Sequence, residues 1–213
     1  NYKGKRFSSS FDIMNEDKII GSFDLASPGF HNALNATVAV AVAVDLGLSI
    51  EKIKKGISQF AGVARRFQYR GEINGVSFID DYAHLPTEVE SALEAAKAGK
   101  WNRIVAVFQP HRFTRTNDLA STFSDCFQDA DEIVITGIYS AGEKAIPGVT
   151  GKLIADAVES KAIGKNVRYC EHREDLIVFL RELLVEGDLC LTLGAGDLTN
   201  IVDQLMGALE DDR

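Results

Sequence analysis

Apolar positions in the first 24 residues alternate loosely, at Phe7, Phe11, Ile13, Ile19, Ile20 and Phe23, with Asn15-Glu16-Asp17 between them. A period near two interrupted by turn residues predicts two or three strands. Pro28-Gly29 then breaks the chain. The alanine- and valine-rich run that follows predicts a helix from about Asn32 to Leu46, ended by Gly47. This helix is apolar on almost every side, so it is expected to be buried. A second helix is expected from Ser49 to about Phe60, with Ser49 as its N-cap and Lys52, Lys54 and Lys55 facing outward.

Between Ala61 and Arg66 the texture changes, which divides the chain into predicted domains at 1–63 and 64–213. Predicted strands 67–73 and 76–79 flank Asn74-Gly75, a strong hairpin signal. Val89, Ala92, Leu93 and Ala96 fall at i, i+3, i+4 and i+7, and Pro86 suits a first helical turn, so a helix is expected over 86–98. The runs 103–108, 132–136 and 189–193 have the continuous apolar character of buried strands. Helices are expected at about 116–127, 151–160, 173–186 and 197–209. Strand–helix alternation of this kind predicts the α/β class: a Rossmann-like, mostly parallel sheet flanked by helices, folding as an independent domain over 67–213.

Such sheets bind ligands beyond the carboxyl ends of their strands. Those ends are Asp80 to His84, Gln109 to Arg115, Gly137 to Glu143, and Gly194 to Asp197. Three of the four histidines fall on or near this edge, with the densest group of Arg and Tyr. Asp80 and Asp81 have two readings, as helix-capping turn residues or as acceptors for a ribose diol. His84 alone would be an ordinary surface histidine; its neighbours argue for a site. Arg112 and Arg115 are three apart. They can converge on one carboxylate or phosphate, or pair with Asp118 or Asp125 as a solvated turn. Arg65-Arg66, at the domain boundary, can reach a ligand held between domains or be solvated in the same way.

Gly194-Ala195-Gly196-Asp197 lacks the spacing of a dinucleotide fingerprint and reads as a tight strand-to-helix turn. The chain has no GxxxxGK[ST] loop, no zinc-ligand spacing and no nucleophile elbow. Cys126, Cys170 and Cys190 are far apart and read as core residues of a reduced, cytoplasmic protein. The net charge of −8 and 25% charged residues argue against general nucleic-acid binding. The most apolar run, 33–48, is interrupted by Asn35, Thr37 and Asp45, which argues against a membrane span. The chain starts at Asn1 in mid-pattern and is expected to be a fragment or a processed product.

The motifs DDYAHLPTEV, FQPHRFTRT and SPGFHNALNA, in that family's order, resemble the Mur ligase family over residues 1 to about 206. The resemblance implies the end of a central ATPase domain followed by a complete C-terminal domain. It also implies an ATP-driven ligase of peptidoglycan synthesis that joins L-alanine to UDP-N-acetylmuramate through an acyl phosphate, with Mg²⁺ assisting. The PHR–TRT run favours the alanine-adding member over the related murein tripeptide ligase. By resemblance, His31, Asn32 and Asn35 meet the adenine, Arg66 reaches the ATP phosphates, and Asp81 holds the ribose. Tyr82, His84, His111, Arg112 and Arg115 resemble the pocket for the incoming amino acid. Leu85 stands where the family often has a second histidine, and the P-loop, sugar-binding domain and magnesium ligands are not in this sequence. The fragment alone is therefore expected to be inactive. The competing readings are a non-catalytic nucleotide- or amino-acid-binding module, and an NAD-dependent domain, which the missing glycine fingerprint disfavours.

Overall fold

A computed structural model describes residues 1–162 and 164–211. The chain divides into two compact units, Asn1–Ala64 with Glu94–Lys100, and Arg65–Leu93 with Trp101 onward.

In the first unit, β1 (Tyr2–Gly4), β2 (Ser9–Asn15) and β3 (Lys18–Leu25) form an antiparallel sheet in that order. Phe11, Ile13, Phe23 and Leu25 project from it into a core completed by Ala33, Ala36 and Val40 of α1 (Phe30–Asp45) and Ile53 of α2 (Ile50–Gln59). The lysines of α2 face outward, and Ser49 is its N-cap residue with extended backbone, though its hydroxyl makes no capping bond. The expectation that α1 is buried all round is corrected. Leu34, Val38 and Val42 are 52%, 65% and 54% exposed. One three-stranded sheet offers a helix one face, and positions 33, 36 and 40 use it.

The second unit holds a six-stranded sheet. Its strands are β4 (Gln68–Ile73), β5 (Val76–Asp81), β6 (Arg103–Phe108), β7 (Glu132–Thr136), β8 (Asn166–Cys170) and β9 (Asp188–Leu193). They lie in the order β4-β5-β9-β6-β7-β8. Only the β4–β5 pair is antiparallel, and it turns at Asn74 and Gly75, both with positive φ (51° and 75°) as a tight hairpin requires. The remaining pairs are parallel. The connecting helices are α3 (Pro86–Lys97), α4 (Phe113–Leu119), α5 (Lys152–Glu159), α6 (Arg173–Leu183) and α7 (Thr199–Asp211).

One sheet face, with Phe78, Val105, Val107, Val134 and Cys190, packs on Leu176 and Leu180 of α6 and on Ile201, Val202 and Leu205 of α7. On β6 the alternate residue Phe108 meets the rings of Phe123 and Phe127 at 5.1 and 5.7 Å. All three cysteines are buried thiols within this unit, and burial pushes Cys126 and Cys190 up to about 12.

Three local expectations are corrected. β5 runs to Asp81, so both aspartates belong to the strand rather than to the loop beyond it. The helix expected over 116–127 starts at Phe113 and ends at Leu119, followed by a 3-10 turn over Ala120–Phe123. β8 was not expected at all: its burial alternates weakly at the sheet edge, so its sequence lacks the apolar run that marks the inner strands.

Candidate functional site

The carboxyl ends of β5, β6, β7 and β9 adjoin one another in the second unit. At β5, Asp80 is buried and paired: Thr192 Oγ1 donates to its Oδ1 at 2.7 Å and Arg65 Nε to its Oδ2 at 3.2 Å. Arg65 also donates to the carbonyl of Gly194 at 2.6 Å. Asp81 accepts the backbone N–H of Phe67 on one oxygen and that of Ala83 on the other, both at 2.7 Å. Burial pushes its carboxyl up to about 6, against the opposing pull of those two N–H groups and of Arg66. Arg65 and Phe67 have φ of 59° and 47°, unusual for residues with a β-carbon, so the Asp81 clamp holds a strained turn. That turn presents Arg66, whose guanidinium lies 5.5 Å from the Tyr82 ring centroid; that of Arg65 lies 4.9 Å from it.

Beyond β5, Glu88 accepts the N–H groups of His84 and Leu85 at 2.9 and 3.1 Å, fixing the entry to α3. His84 Nδ1 lies 3.0 Å from the carbonyl oxygen of Tyr82 and 3.2 Å from Glu88. With two acceptors in reach, Nδ1 is the donor.

Beyond β6, His111 Nδ1 is 3.2 Å from Arg115 Nη1, so here Nδ1 is the acceptor. Burial and the charge of Arg115 lower the pKa of His111, which keeps it neutral. Arg112 is half exposed and occupies the N-cap position of α4 with a φ of 73°, without a capping bond from its side chain. Its nearest acid is Glu143, at 3.9 Å. The pairing with Asp118 or Asp125 that the sequence left open does not occur: Asp118 accepts from Asn117, and Asp125 pairs with Lys161.

Tyr82, His84, His111 and Tyr139 form one row of rings, with successive centroids 5.5, 5.7 and 5.6 Å apart. Arg65 and Arg66 lie at the Tyr82 end, and Arg115 bonds the His111 ring. A row of rings bordered by guanidinium groups is an arrangement that can hold an anion, the planar forks supplying paired donors.

Gly194 and Gly196, expected to serve a tight turn, do not have positive φ. Gly196 is required for space: a β-carbon there would lie 2.5 Å from Tyr139 Cγ and would collide with the Gln109 amide oxygen. That amide bridges Asp197 and the N–H of Leu198, locking the β9–α7 turn to the end of β6.

Of the residues singled out in the sequence, Arg66, Asp81, Tyr82, His84, His111, Arg112 and Arg115 lie in this second unit. His31, Asn32 and Asn35 lie in the first, on the opening turns of α1. Asn32 donates to Ser27 Oγ and to the Pro28 carbonyl at 3.0 and 2.7 Å, Asn35 is exposed and His31 half-buried. Among the described residues, no group of three or more His, Cys, Asp or Glu could hold a metal ion. Tyr139, Glu143, Gln109 and Thr192 were not selected; Tyr139 and Glu143 stood in the strand-end stretch Gly137–Glu143 and Gln109 in Gln109–Arg115, and only the folded chain separates them from their neighbours.

A guanidinium–imidazole cluster at the strand ends of an α/β sheet stands where ligands bind in folds of this class. Residues 65–196 match the family described as Mur ligase, glutamate ligase domain, and the chain belongs to the Mur ligase family. The chain is 41% identical over 203 residues to the UDP-N-acetylmuramate–L-alanine ligase of Myxococcus xanthus, covering 95% of this chain and 43% of that protein. It is 45% identical over 196 residues to the enzyme of the same name from Carboxydothermus hydrogenoformans, covering 92% and 42%. The crystal structure of UDP-N-acetylmuramate–alanine ligase from Thermotoga maritima matches all of this chain and 45% of its own, with TM-score 0.83 and 28% identity. The chain thus spans less than half the length of the curated relatives it matches.

Proposed function

We propose that this chain is part of an ATP-dependent ligase that joins L-alanine to UDP-N-acetylmuramate during peptidoglycan synthesis in the cytoplasm. The observation that carries the reading is the convergence of Arg112, Arg115, His111, His84 and Tyr82 beyond β5 and β6, in a chain this similar to ligases of that name. In this reading Arg112 and Arg115 take the carboxylate of the amino acid and point its amine toward the acyl phosphate. A neutral His111 adds no charge of its own beside the two arginines, which limits repulsion of the amino group. Arg66, offered by the strained turn at 65–67, reaches the ATP phosphates. Asp81 takes the ribose through the lone pairs its two backbone partners leave open. His31, Asn32 and Asn35 serve the adenine, Asn32 through its carbonyl because its amide N–H groups are engaged. Bound Mg²⁺ would supply charge neutralisation on the phosphates.

The test is steady-state kinetics of the full-length enzyme with each substrate varied separately. Arg112→Ala and Arg115→Ala should each reduce kcat/KM for L-alanine about ten- to a hundredfold, the loss of one charge-assisted contact, with little change in the KM for ATP. Lysine at either position should restore part of the loss, since it keeps the charge but not the fork. Variants that alter only the KM for ATP would refute the assignment of this loop.

A further inference from the structure

We propose that Tyr139 and Glu143, on the loop after β7, are positioning residues that set the geometry of His111 and Arg112; this rests on the reading of that cluster as the amino-acid pocket.

The parallel ladder between β6 and β7 does not stop where the strands do. It resumes as an isolated bridge between His111 and Tyr139. Tyr139 donates its N–H to the Pro110 carbonyl, and its own carbonyl accepts the N–H of Arg112, both at 2.8 Å. Arg112 needs this support, because its φ of 73° is disfavoured for a side chain with a β-carbon and persists only when its surroundings fix it. From the other side, the Arg112 carbonyl accepts both the N–H and the hydroxyl of Thr116, at 3.1 and 2.9 Å.

The side chains add a second layer. The Tyr139 ring stacks on the His111 imidazole at 5.6 Å and 22°, which confines the ring whose Nδ1 faces Arg115. Gly196 leaves the space the tyrosine needs. Arg112 provides no side-chain cap to α4. Glu143 caps it instead, accepting the N–H and hydroxyl of Thr114 at 3.0 and 2.7 Å while facing Arg112. Tyr139 is 36% exposed and Glu143 lies outside the core, so neither side chain is needed to fill the fold. What they touch is the arginine–histidine loop.

The experiment compares Tyr139→Ala, Tyr139→Phe and Glu143→Ala with Arg112→Ala in the full-length enzyme, measuring the KM for L-alanine, the KM for ATP, kcat and Tm. Tyr139→Ala and Glu143→Ala should each raise the KM for L-alanine about tenfold. The KM for ATP and the Tm should stay near those of the wild type, and Tyr139→Phe should behave as wild type because the stack survives. An unchanged KM for L-alanine in both alanine variants, with Arg112→Ala still impaired, overturns this inference alone. Equal losses for both substrates with a lowered Tm also overturn it, leaving a brace for stability. A lower KM for L-alanine in Glu143→Ala would show that Glu143 competes with the substrate, the opposite of positioning. If Arg112→Ala is itself without effect on L-alanine, the underlying pocket assignment falls as well.

Discussion

The carboxylate of Asp81 accepts the N–H of Phe67 across 2.7 Å, tying the end of a central strand to a turn whose backbone is strained at Arg65 and Phe67. Arg66 stands between those two strained residues, so its placement depends on a carboxyl group that is itself costly to bury.

That cost has a pH signature. Asp81 has a folded pKa raised from an ordinary 3.8 to about 6, with Arg66 and Asp80 as the charges facing it. The folded state therefore keeps a proton that the unfolded chain gives up earlier. The associated stability is complete below about pH 4 and is lost as pH rises toward 6, amounting to roughly 3 kcal/mol. Chemical denaturation of wild type and Asp81→Asn from pH 4 to 7 should show the wild type losing stability relative to the variant across that window. A pH-independent difference between them would place the titration of Asp81 elsewhere.

Arg103 grips both oxygens of fully buried Asp188, at 3.0 and 2.6 Å, and also donates to the Leu183 carbonyl. Arg103→Met should destabilise the chain by about 3–5 kcal/mol, because it strands a buried charge. Adding Asp188→Asn should recover part of that loss by removing the charge. Equilibrium unfolding of the two variants decides, and a double variant less stable than Arg103→Met would count against the account.

Two glycines should respond in opposite directions. Gly196→Ala forces a methyl group against Tyr139 and Gln109 and should cost about 1–3 kcal/mol. Gly207→Ala on α7 meets nothing within 4 Å and should stabilise by about 0.5–1 kcal/mol through helix propensity. Thermal melts of the two variants provide the comparison.

The chain by itself should release no phosphate from ATP in the presence of L-alanine and UDP-N-acetylmuramate, since it contains no GxxxxGK[ST] loop to cradle the phosphates. Release above background that disappears on mutation of Arg66 or Asp81 would contradict this.

The inner strands were legible because each is a short apolar run: β6 and β7 were placed to the residue, and β9 within one. β8 was illegible because an edge strand need not be apolar, and α1 misled because Leu34, Val38 and Val42 look like core without being covered. Candidates such as His84, His111 and Arg115 could be read from the strand ends, since a parallel sheet dictates where they gather. What could not be read was pairing. Nothing local distinguishes Asp80, which accepts a hydrogen bond from a threonine 112 positions away, from Asp81, which clamps a turn. Nor does the sequence say that Glu143, rather than Asp118, faces Arg112.

The three buried thiols carry a consequence for how this molecule can be observed. Cys190 lies on central strand β9 and Cys170 on edge strand β8. With its thiol pushed to about 12, Cys190 presents almost no thiolate to a reagent at neutral pH while the chain is closed. Alkylation then waits on opening, so the labelling rate of each sulfur becomes a gauge of how often its own strand comes undone. Read together, the sulfurs on β8 and β9 separate fraying at the sheet margin from rupture at its centre, using probes the sequence already contains.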